Sequence, residues 1–434
     1  MDFIMSLKKF FIILFWLFLW HLLAKWVDNA VLLATPLETL RALLVMLPKI
    51  RFWQSVTGSL LRIGAGIFLG FGAGVLLGIL SGRFSLSEEI LSPVMNLFKA
   101  VPVASFVVLF LIWWGSSFLA VAICFLVVMP NIYINTLSGI KNTDRQLLEM
   151  AAIFGIPRKN LFFYIYRPAL KPFLLSGLKI SLGMGWKSGV AAEVIGTPDF
   201  SIGGQLYLSK IYLDTAGLFA WTAVVIVLSF LFEKVILWLA EAFFAWEPVC
   251  KRPERSHNAQ NQQLGCHELT KSYGDKTVIQ NFSEVYRSGE IYYLTSPSGS
   301  GKTTLLRLLC GLEKPDSGGV EGKEKISFGM VFQEDRLCMN YSALRNVEMV
   351  TGDRKRAREA LCLLLEEDAI DKPCSQLSGG MKRRVALVRA MESESGCVLL
   401  DEPFTGMDAG TKDRAKAYIR DRQRGRILII ATHI

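Results

Sequence analysis

Residues 296–304 combine small residues, a lysine and two threonines in a pattern that can bind phosphate. They read Ser-Pro-Ser-Gly-Ser-Gly-Lys-Thr-Thr, follow a strand-like run at 290–295 and precede an apolar helix beginning at Leu305. In a strand, loop and helix of this kind, backbone amides at the turn and at the helix N-terminus converge on phosphate oxygens. The sequence therefore predicts a nucleotide site formed by Ser298, Gly299, Ser300, Gly301, Lys302, Thr303 and Thr304.

Two residues of this loop have separate predicted roles, and a third departs from the usual pattern. Lys302 is expected to bind the β and γ phosphates, and the Thr303 hydroxyl to ligate Mg²⁺. Ser296 stands where the motif has its first glycine. A serine does not adopt a positive φ without cost, so a strained turn at this position would reduce nucleotide affinity.

Two adjacent carboxylates end an apolar run further along the chain. Residues 398–402 read Val-Leu-Leu-Asp-Glu, and Pro403 follows. A strand that delivers two acids beside a phosphate loop suits phosphoryl chemistry. Asp401 is predicted to hold Mg²⁺, commonly through water, and Glu402 to orient or deprotonate the water that attacks the γ phosphate.

A third element lies between these two and reads Leu-Ser-Gly-Gly-Met at 377–381. Ser378, Gly379 and Gly380 open a helix, so their amides and the serine hydroxyl form an anion site. Phosphate loop, Ser-Gly-Gly element and acidic strand in this order resemble the ATPase of ABC transporters. The resemblance implies that this element closes over ATP held by a second copy of the domain. Met381 replaces the usual glutamine.

The same resemblance assigns roles to four more residues. Tyr273 matches the aromatic residue that stacks on adenine, and Gln333 matches the Q-loop glutamine that touches Mg²⁺ and the attacking water. Asp408 occupies the D-loop position in an altered sequence. His433 matches the histidine that contacts the γ phosphate. The sequence stops one residue later, where such ATPases usually continue, so we expect either an unusually early end or a truncation.

The first 246 residues have a membrane composition. Hydrophobic residues make up 52% of the 434-residue chain, and the mean hydropathy is +0.36. Soluble domains have a smaller apolar share. Six apolar stretches are mostly long enough to cross ~30 Å of hydrocarbon as helices. They are centred on residues 10–24, 60–81, 98–115, 116–136, 176–196 and 216–240.

The distribution of cations predicts the orientation of these spans. Trp16, Trp20 and Lys25 lie in and after the first run in place of a small-residue cleavage site, so this run is predicted to be an uncleaved helix. Six crossings that start inside place the loop 137–175 in the cytoplasm, and Lys and Arg dominate its charges. Many of the cations behind the net charge of +10 lie in short loops between apolar runs, where they set membrane orientation. Nucleic acid is therefore not expected as a partner.

That cytoplasmic loop contains Glu149-Met-Ala-Ala-Ile-Phe-Gly155, followed after nine residues by Ile-Tyr-Arg-Pro168. This spacing resembles the EAA loop of binding-protein-dependent importers, which forms a coupling helix that docks on the ATPase. The small residues Ala151 and Ala152 would permit close docking, and Gly155 would help to end the helix. Met150 and Arg167 depart from the family pattern.

Other features of the membrane region are less specific. Gly66, Gly70, Gly74 and Gly78 lie on one helix face and favour close helix packing. Lys187 and Glu193 are ionisable residues in the fifth span, and they fall on different faces. The segments 99–102, 113–115 and 191–196 resemble permeases of the sulfonate, taurine and nitrate importers. That resemblance implies a small, anionic or heteroaromatic nutrient.

Together these features predict a multi-domain protein: an all-α, six-helix, type I importer-like permease at 1–246, a linker at 247–263 and an α/β ATPase at 264–434. We expect it to be a multi-pass protein of the inner (plasma) membrane with a cytoplasmic ATPase. The resemblance implies ATP, Mg²⁺, a second copy of the chain, a small-molecule substrate and an extracytoplasmic substrate-binding protein. Two alternatives stay open: an exporter half-transporter, and an ATP-binding membrane regulator with impaired hydrolysis.

Overall fold

The computed structural model describes residues 2–246, 262–297 and 299–432, with side chains from residue 11 onward. The chain divides into two compact units. The first comprises residues 1–142 and 170–246, and the second comprises residues 143–169 and 247–434. Most of the predicted linker lies outside the described residues, and Gln263 already belongs to the first strand.

Helices build the first unit. The predicted apolar stretches fall in five of them, and the stretches 98–115 and 116–136 share α5 for most of their length. The helices are α1 (Asp2–Val27), α2 (Pro36–Met46), α3 (Ile50–Arg83), α4 (Ser85–Ala100), α5 (Val103–Lys141), α8 (Arg167–Gly196, shared with the second unit), α9 (Ile202–Ile211) and α10 (Thr215–Ala245). Among the described residues, α3, α5 and α10 are long and apolar enough to cross a membrane, and Phe11–Val27 is a shorter apolar stretch.

Gly115 divides α5 into two helical segments. Its φ of 73° and ψ of −177° are not helical, and a positive φ suits glycine. Residues before Gly115 pack along residues after it: Phe110 shares a buried cluster with Leu119. A separate contact joins α4 to the end of α5, where Glu88 pairs with Lys141 at 2.5 Å. The break in the helix therefore falls where the apolar stretches 98–115 and 116–136 were predicted to meet.

The glycine stripe of α3 packs against the second half of α5. A Cβ on Gly66 would lie 2.5 Å from the Val121 carbonyl oxygen, and one on Gly74 would lie 2.7 Å from the Met129 carbonyl oxygen. No side chain fits in such a gap, so the two helix backbones can approach only where glycine occurs. The packing role predicted for this stripe is confirmed.

Glu193 is the centre of a buried polar cluster in the same unit. Its side chain is fully buried, and its carboxylate accepts hydrogen bonds from the Ser59 hydroxyl at 2.5 Å and the Arg62 guanidinium at 3.1 Å. The Gly203 amide is a third donor at 3.2 Å. The cluster joins α3, α8 and α9. Lys187, the other ionisable residue of the fifth span, is exposed.

The second unit contains two sheets. The first is antiparallel with the order β2-β1-β4, and the second is parallel with the order β3-β7-β6-β5. Parallel strands are buried on both faces, which agrees with the apolar runs of β6 and β7. The strands are β1 (Gln263–Tyr273), β2 (Lys276–Arg287), β3 (Ile291–Thr295), β4 (Ser317–Glu321), β5 (Phe328–Val331), β6 (Cys397–Asp401) and β7 (Ile427–Thr432).

Helices pack beside these sheets and complete an α/β domain, as predicted. Several start at a side-chain cap: Ser342 caps α12 and Asp353 caps α13. The helices are α11 (Lys302–Leu309), α12 (Ala343–Thr351), α13 (Arg354–Cys362), α14 (Glu367–Ile370), α15 (Gly379–Glu392) and α16 (Ala409–Asp421).

The loop predicted to couple the two regions packs in this second unit. It forms α6 (Arg145–Ile153), α7 (Arg158–Leu161) and a π-helical turn at Phe162–Tyr166. Met150, Ala151 and Phe154 are buried in the core of the unit. Gly155 has a φ of 57° just after α6 ends, which agrees with its predicted role.

One prediction for this loop is wrong. Ala152 is exposed, whereas Met150, a departure from the family pattern, is fully buried. Successive helical residues point about 100° apart, so a helix face consists of residues three or four apart. Met150 and Phe154 are four apart and form the docking face with Ala151, and Ala152 turns away from it.

Candidate functional site

The phosphate loop joins β3 to α11 and borders a cavity of about 260 Å³. Within the described part of the loop, positive φ angles occur at Gly299 (80°) and Gly301 (90°), where glycine adopts them readily. Ser298 lies outside the described residues. The cavity is lined by Val278, Gly299, Ser300, Gly301, Lys302, Thr303, Thr304, Gln333 and Glu402.

Ser296 does not strain this loop. It is absent from the described residues with positive φ, so its backbone suits any amino acid. Its hydroxyl lies 2.6 Å from the Ser300 hydroxyl. Its carbonyl oxygen and that of Pro297 accept hydrogen bonds from the Lys302 ammonium group. The conformational cost considered from the sequence does not arise.

Thr303 and Asp401 provide oxygen atoms at one edge of the cavity. The Thr303 hydroxyl donates to Asp401 Oδ2 at 2.8 Å. Burial is the main cause that raises the pKa of Asp401, and repulsion from Glu402 raises it further. A buried carboxylate disfavoured in its charged form, beside a hydroxyl, fits a Mg²⁺ ion, which prefers oxygen ligands. These two residues would hold the ion.

Glu402 and Gln333 face the same cavity as Lys302. Glu402 follows β6 directly and has a φ of 46°, a conformation uncommon for a residue other than glycine. The Thr405 hydroxyl lies 3.3 Å from Glu402 Oε2. The three residues predicted to act in hydrolysis, Glu402, Gln333 and Lys302, therefore line one cavity.

Tyr273 lies beside this site and does not line the cavity. Tyr273 as a whole is 48% exposed, and the Lys271 ammonium group lies 5.6 Å from its ring centre. Its hydroxyl donates to Glu313. Partial burial and that hydrogen bond raise the pKa of Tyr273. An exposed ring face suits stacking on a base, which stays a prediction.

The Ser-Gly-Gly element lies outside the lining of this cavity. Ser378 caps α15, and its hydroxyl accepts a hydrogen bond from the Met381 amide at 3.3 Å. A Cβ on Gly380 would lie 2.5 Å from the Gly406 carbonyl oxygen. Within one chain, this element therefore contacts the loop after Glu402 and does not line the cavity beside the phosphate loop.

Asp408 has a structural role that the resemblance did not suggest. It caps α16, and its carboxylate accepts hydrogen bonds from the Thr411 amide at 2.8 Å and the Thr411 hydroxyl at 2.9 Å. These hydrogen bonds lower the pKa of Asp408. His433 lies outside the described residues.

Arginines that were not identified from the sequence hold Glu149 of α6. Its carboxylate lies 2.9 Å from Arg336, which follows the Q-loop, and 3.5 Å from Arg307 of α11. Arg145 contacts it at 3.6 Å from an exposed position. The signal was available in part, since Arg307 interrupts an apolar helix just after the phosphate loop.

Arg383, another arginine not identified from the sequence, is buried in α15. It shares a hydrogen-bond acceptor in Glu402 with Thr405. Both residues bond to the Glu402 carbonyl oxygen, Arg383 at 2.8 Å and Thr405 through its hydroxyl at 3.1 Å. Arg383 is the middle residue of the basic run Lys382-Arg383-Arg384, so the sequence does not distinguish it from its two neighbours.

Comparisons with known proteins identify two regions of the chain. Residues 279–405 match the family model described as ABC transporter. Residues 74–244 match the model described as binding-protein-dependent transport system inner membrane component. The second match and the long apolar helices make the N-terminal region a multi-pass inner-membrane region.

Individual relatives have both import and export names. An aliphatic sulfonates import ATP-binding protein of Nocardia farcinica is 41% identical over 174 residues, which cover 38% of this chain and 69% of the relative. A sulfate/thiosulfate import ATP-binding protein of Chromobacterium violaceum is 34% identical, covering 42% and 55%. A Nod factor export ATP-binding protein of Neorhizobium galegae is 34% identical, covering 41% and 57%.

The chain thus spans little more than half the length of the last two relatives and over two thirds of the first. The match to the first is close and extensive enough to establish kinship. With an inner-membrane transport component and an ATP-binding cassette matched in one polypeptide, the chain belongs to the ABC transporter family.

Proposed function

We propose that two copies of this chain form an importer that uses ATP hydrolysis to move a small nutrient across the cytoplasmic membrane. The nutrient would be a sulfonate, taurine, nitrate or a related compound, delivered by an extracytoplasmic substrate-binding protein. The sulfonate and sulfate import names of two relatives support this class of substrate.

The packing of α6 is the observation that carries the proposal. Glu149, from a loop within the membrane half of the sequence, pairs with Arg336 beside the Q-loop and with Arg307 of the phosphate-loop helix. A movement of the residues around the nucleotide cavity would therefore move α6 through these ion pairs. That connection is what an ATP-driven membrane transporter requires.

The cavity supports a division of labour in hydrolysis. Lys302, Glu402 and Gln333 all line the cavity. In the proposed reaction Lys302 would bind the terminal phosphates, and Glu402 and Gln333 would orient and deprotonate a water molecule. Mg²⁺, held by Thr303 and Asp401, would neutralise charge on the phosphates. Ser378, Gly379 and Gly380 do not line this cavity, which supports the proposal that they bind ATP held by a second copy of the chain.

A transport assay tests the proposal and its direction. The full chain would be reconstituted in liposomes with the ATPase outside and the cognate binding protein enclosed with radiolabelled taurine. We expect Mg-ATP added outside to release taurine from the lumen, because the lumen corresponds to the extracytoplasmic side. Glu402→Gln should reduce the rate by at least about a hundredfold.

The alternatives give different results in the same vesicles. The exporter reading, supported by the Nod factor export relative, requires ATP-dependent uptake into the lumen. The regulator reading requires ATP binding without turnover, even with the binding protein present. Release that is equal in the wild type and in Glu402→Gln would contradict ATP-driven import.

A further inference from the structure

Arg383 contacts the backbone at the C-terminal end of β6. Its side chain is 4% exposed. Its guanidinium donates to the carbonyl oxygen of Asp401 and to that of Glu402, the latter at 2.8 Å from Nη2 and 3.2 Å from Nε. Two of its three nitrogens, Nε and Nη2, therefore donate hydrogen bonds to the strand end that carries Glu402.

The third nitrogen holds the Q-loop. Arg383 Nη1 donates to the carbonyl oxygens of Phe332 at 2.5 Å and Gln333 at 3.3 Å. The Asp335 carboxylate lies 3.1 Å from the same nitrogen and neutralises the charge. A planar guanidinium has donors in a fixed fork, so it can hold two segments at a defined separation.

Glu402 has a particular need for such support. Its φ of 46° is a left-handed conformation that persists only where the surroundings enforce it. Its amide donates to the Ala431 carbonyl oxygen at 2.9 Å. Arg383 holds its carbonyl oxygen, so both sides of the residue are fixed and its carboxylate is directed into the cavity.

We infer that Arg383 is a positioning residue for ATP hydrolysis, which sets the distance between Glu402 and Gln333. This inference rests on the proposed roles of those two residues. Arg383 lines no part of the cavity and would not touch the phosphates. Its loss should therefore slow the chemical step and leave nucleotide binding nearly unchanged.

A second buried arginine provides a matched control. Arg426 is 4% exposed and also donates to backbone carbonyl oxygens, those of Ser393 at 2.8 Å and Met391 at 2.9 Å. Those carbonyls lie away from the cavity lining. Replacing Arg426 removes comparable buried hydrogen bonds, so it measures what the loss of stability alone does to activity.

The experiment compares Arg383→Lys, Arg383→Met and Arg426→Met in the full chain in lipid nanodiscs. We expect both Arg383 variants to lower kcat about tenfold to a hundredfold with KM for ATP changed less than about threefold. In a Glu402→Gln background, Arg383→Met should cost almost nothing further. Arg426→Met should lower Tm similarly and change kcat less than about threefold.

Several results would overturn the inference. These are an unchanged kcat in both Arg383 variants, an equal loss of kcat in Arg426→Met, or an undiminished effect in the Glu402→Gln background. If the wild type itself fails to turn over, the proposed function fails and hydrogen exchange still tests Arg383. Amides at 332–335 and 401–405 should then exchange faster in Arg383→Met than in Arg426→Met, and equal exchange would refute the positioning role.

Discussion

Asp401 has a carboxylate whose ionisation opposes folding of the nucleotide-free protein. Burial and repulsion from Glu402 raise its pKa in the folded state. A raised carboxyl pKa means that the stability contribution falls as the pH rises through that pKa. At neutral pH we therefore expect nucleotide-free Asp401→Asn to unfold at the wild-type temperature or above it.

The same substitution should remove the response to Mg-ATP. At a ligand concentration one hundred times Kd, the wild type should gain about 2.7 kcal/mol, and the variant at that concentration less than about 1 kcal/mol. Thermal unfolding with Mg-ATP, and with ATP plus a chelator as the control, measures both effects. A variant that is less stable without nucleotide would contradict the unfavourable charge.

Ser296 should be nearly neutral for nucleotide binding, although it replaces a motif glycine. It has no positive φ to relieve, so we expect Ser296→Gly to change the Kd for ATP less than about threefold. Gly301→Ala is the contrasting variant. Gly301 has a φ of 90°, and its Cβ would lie 2.7 Å from Val278, so its substitution should weaken binding at least about tenfold.

Titration with a fluorescent ATP analogue gives both constants. A large gain of affinity in Ser296→Gly would restore the idea that the serine impairs nucleotide binding. That result would also favour the regulator reading over an efficient transporter.

At the scale of elements, α6 should transmit the effect of ATP through Glu149. We expect Glu149→Gln and Arg336→Gln each to reduce the stimulation of ATPase activity by substrate-loaded binding protein at least about fivefold. Basal activity should stay within about threefold. The pair should be non-additive because the Arg336 side chain is only 6% exposed and contacts Glu149 at 2.9 Å.

Arg145 is the control for this pair. It contacts the same carboxylate at 3.6 Å, but its side chain is 91% exposed, and exposed ion pairs contribute little. Arg145→Gln should leave the stimulation unchanged. Equal effects of Arg145→Gln and Arg336→Gln would indicate that general charge at the loop matters and that the buried contact does not.

The glycine stripe of α3 permits a comparison within one helix. Gly66→Ala would place a Cβ 2.5 Å from the Val121 carbonyl oxygen, so we expect a loss of about 1–3 kcal/mol. Gly72→Ala should cause no loss because nothing lies within 4 Å of its Cβ position. Thermal unfolding in detergent separates them, and equal stabilities would argue against close α3 to α5 packing.

At the scale of the whole molecule, local patterns predicted much of the fold. Apolar runs predicted the long helices α3, α5 and α10, and the break at Gly115 falls where two predicted stretches meet. Contacts between residues far apart in the sequence were harder to predict. Glu193 was recognised as an ionisable group in a span, but its partner Arg62 is on another helix, and one sequence contains no information on that pairing.

The candidate site shows the same limit. Lys302, Thr303, Asp401 and Glu402 follow from motifs because strand, loop and helix order fixes their position. Ala152 was assigned to the docking face because small residues permit close contact, and helical phase places Met150 there instead. Arg383 carries no motif, since its role comes from two backbone segments that meet only in the folded domain.

The position of Arg383 in α15 has a consequence for the timing of the two proposed ATP sites. Ser378, which would bind the nucleotide of the other copy, caps that helix. Five residues later, Arg383 holds the backbone of Glu402 and Gln333 of its own site. Rate against ATP concentration should therefore be sigmoidal, with a Hill coefficient above about 1 that approaches 1 in Arg383→Lys. A hyperbolic wild-type curve would contradict this. Each copy would hydrolyse its ATP only once it had registered that its partner was also loaded.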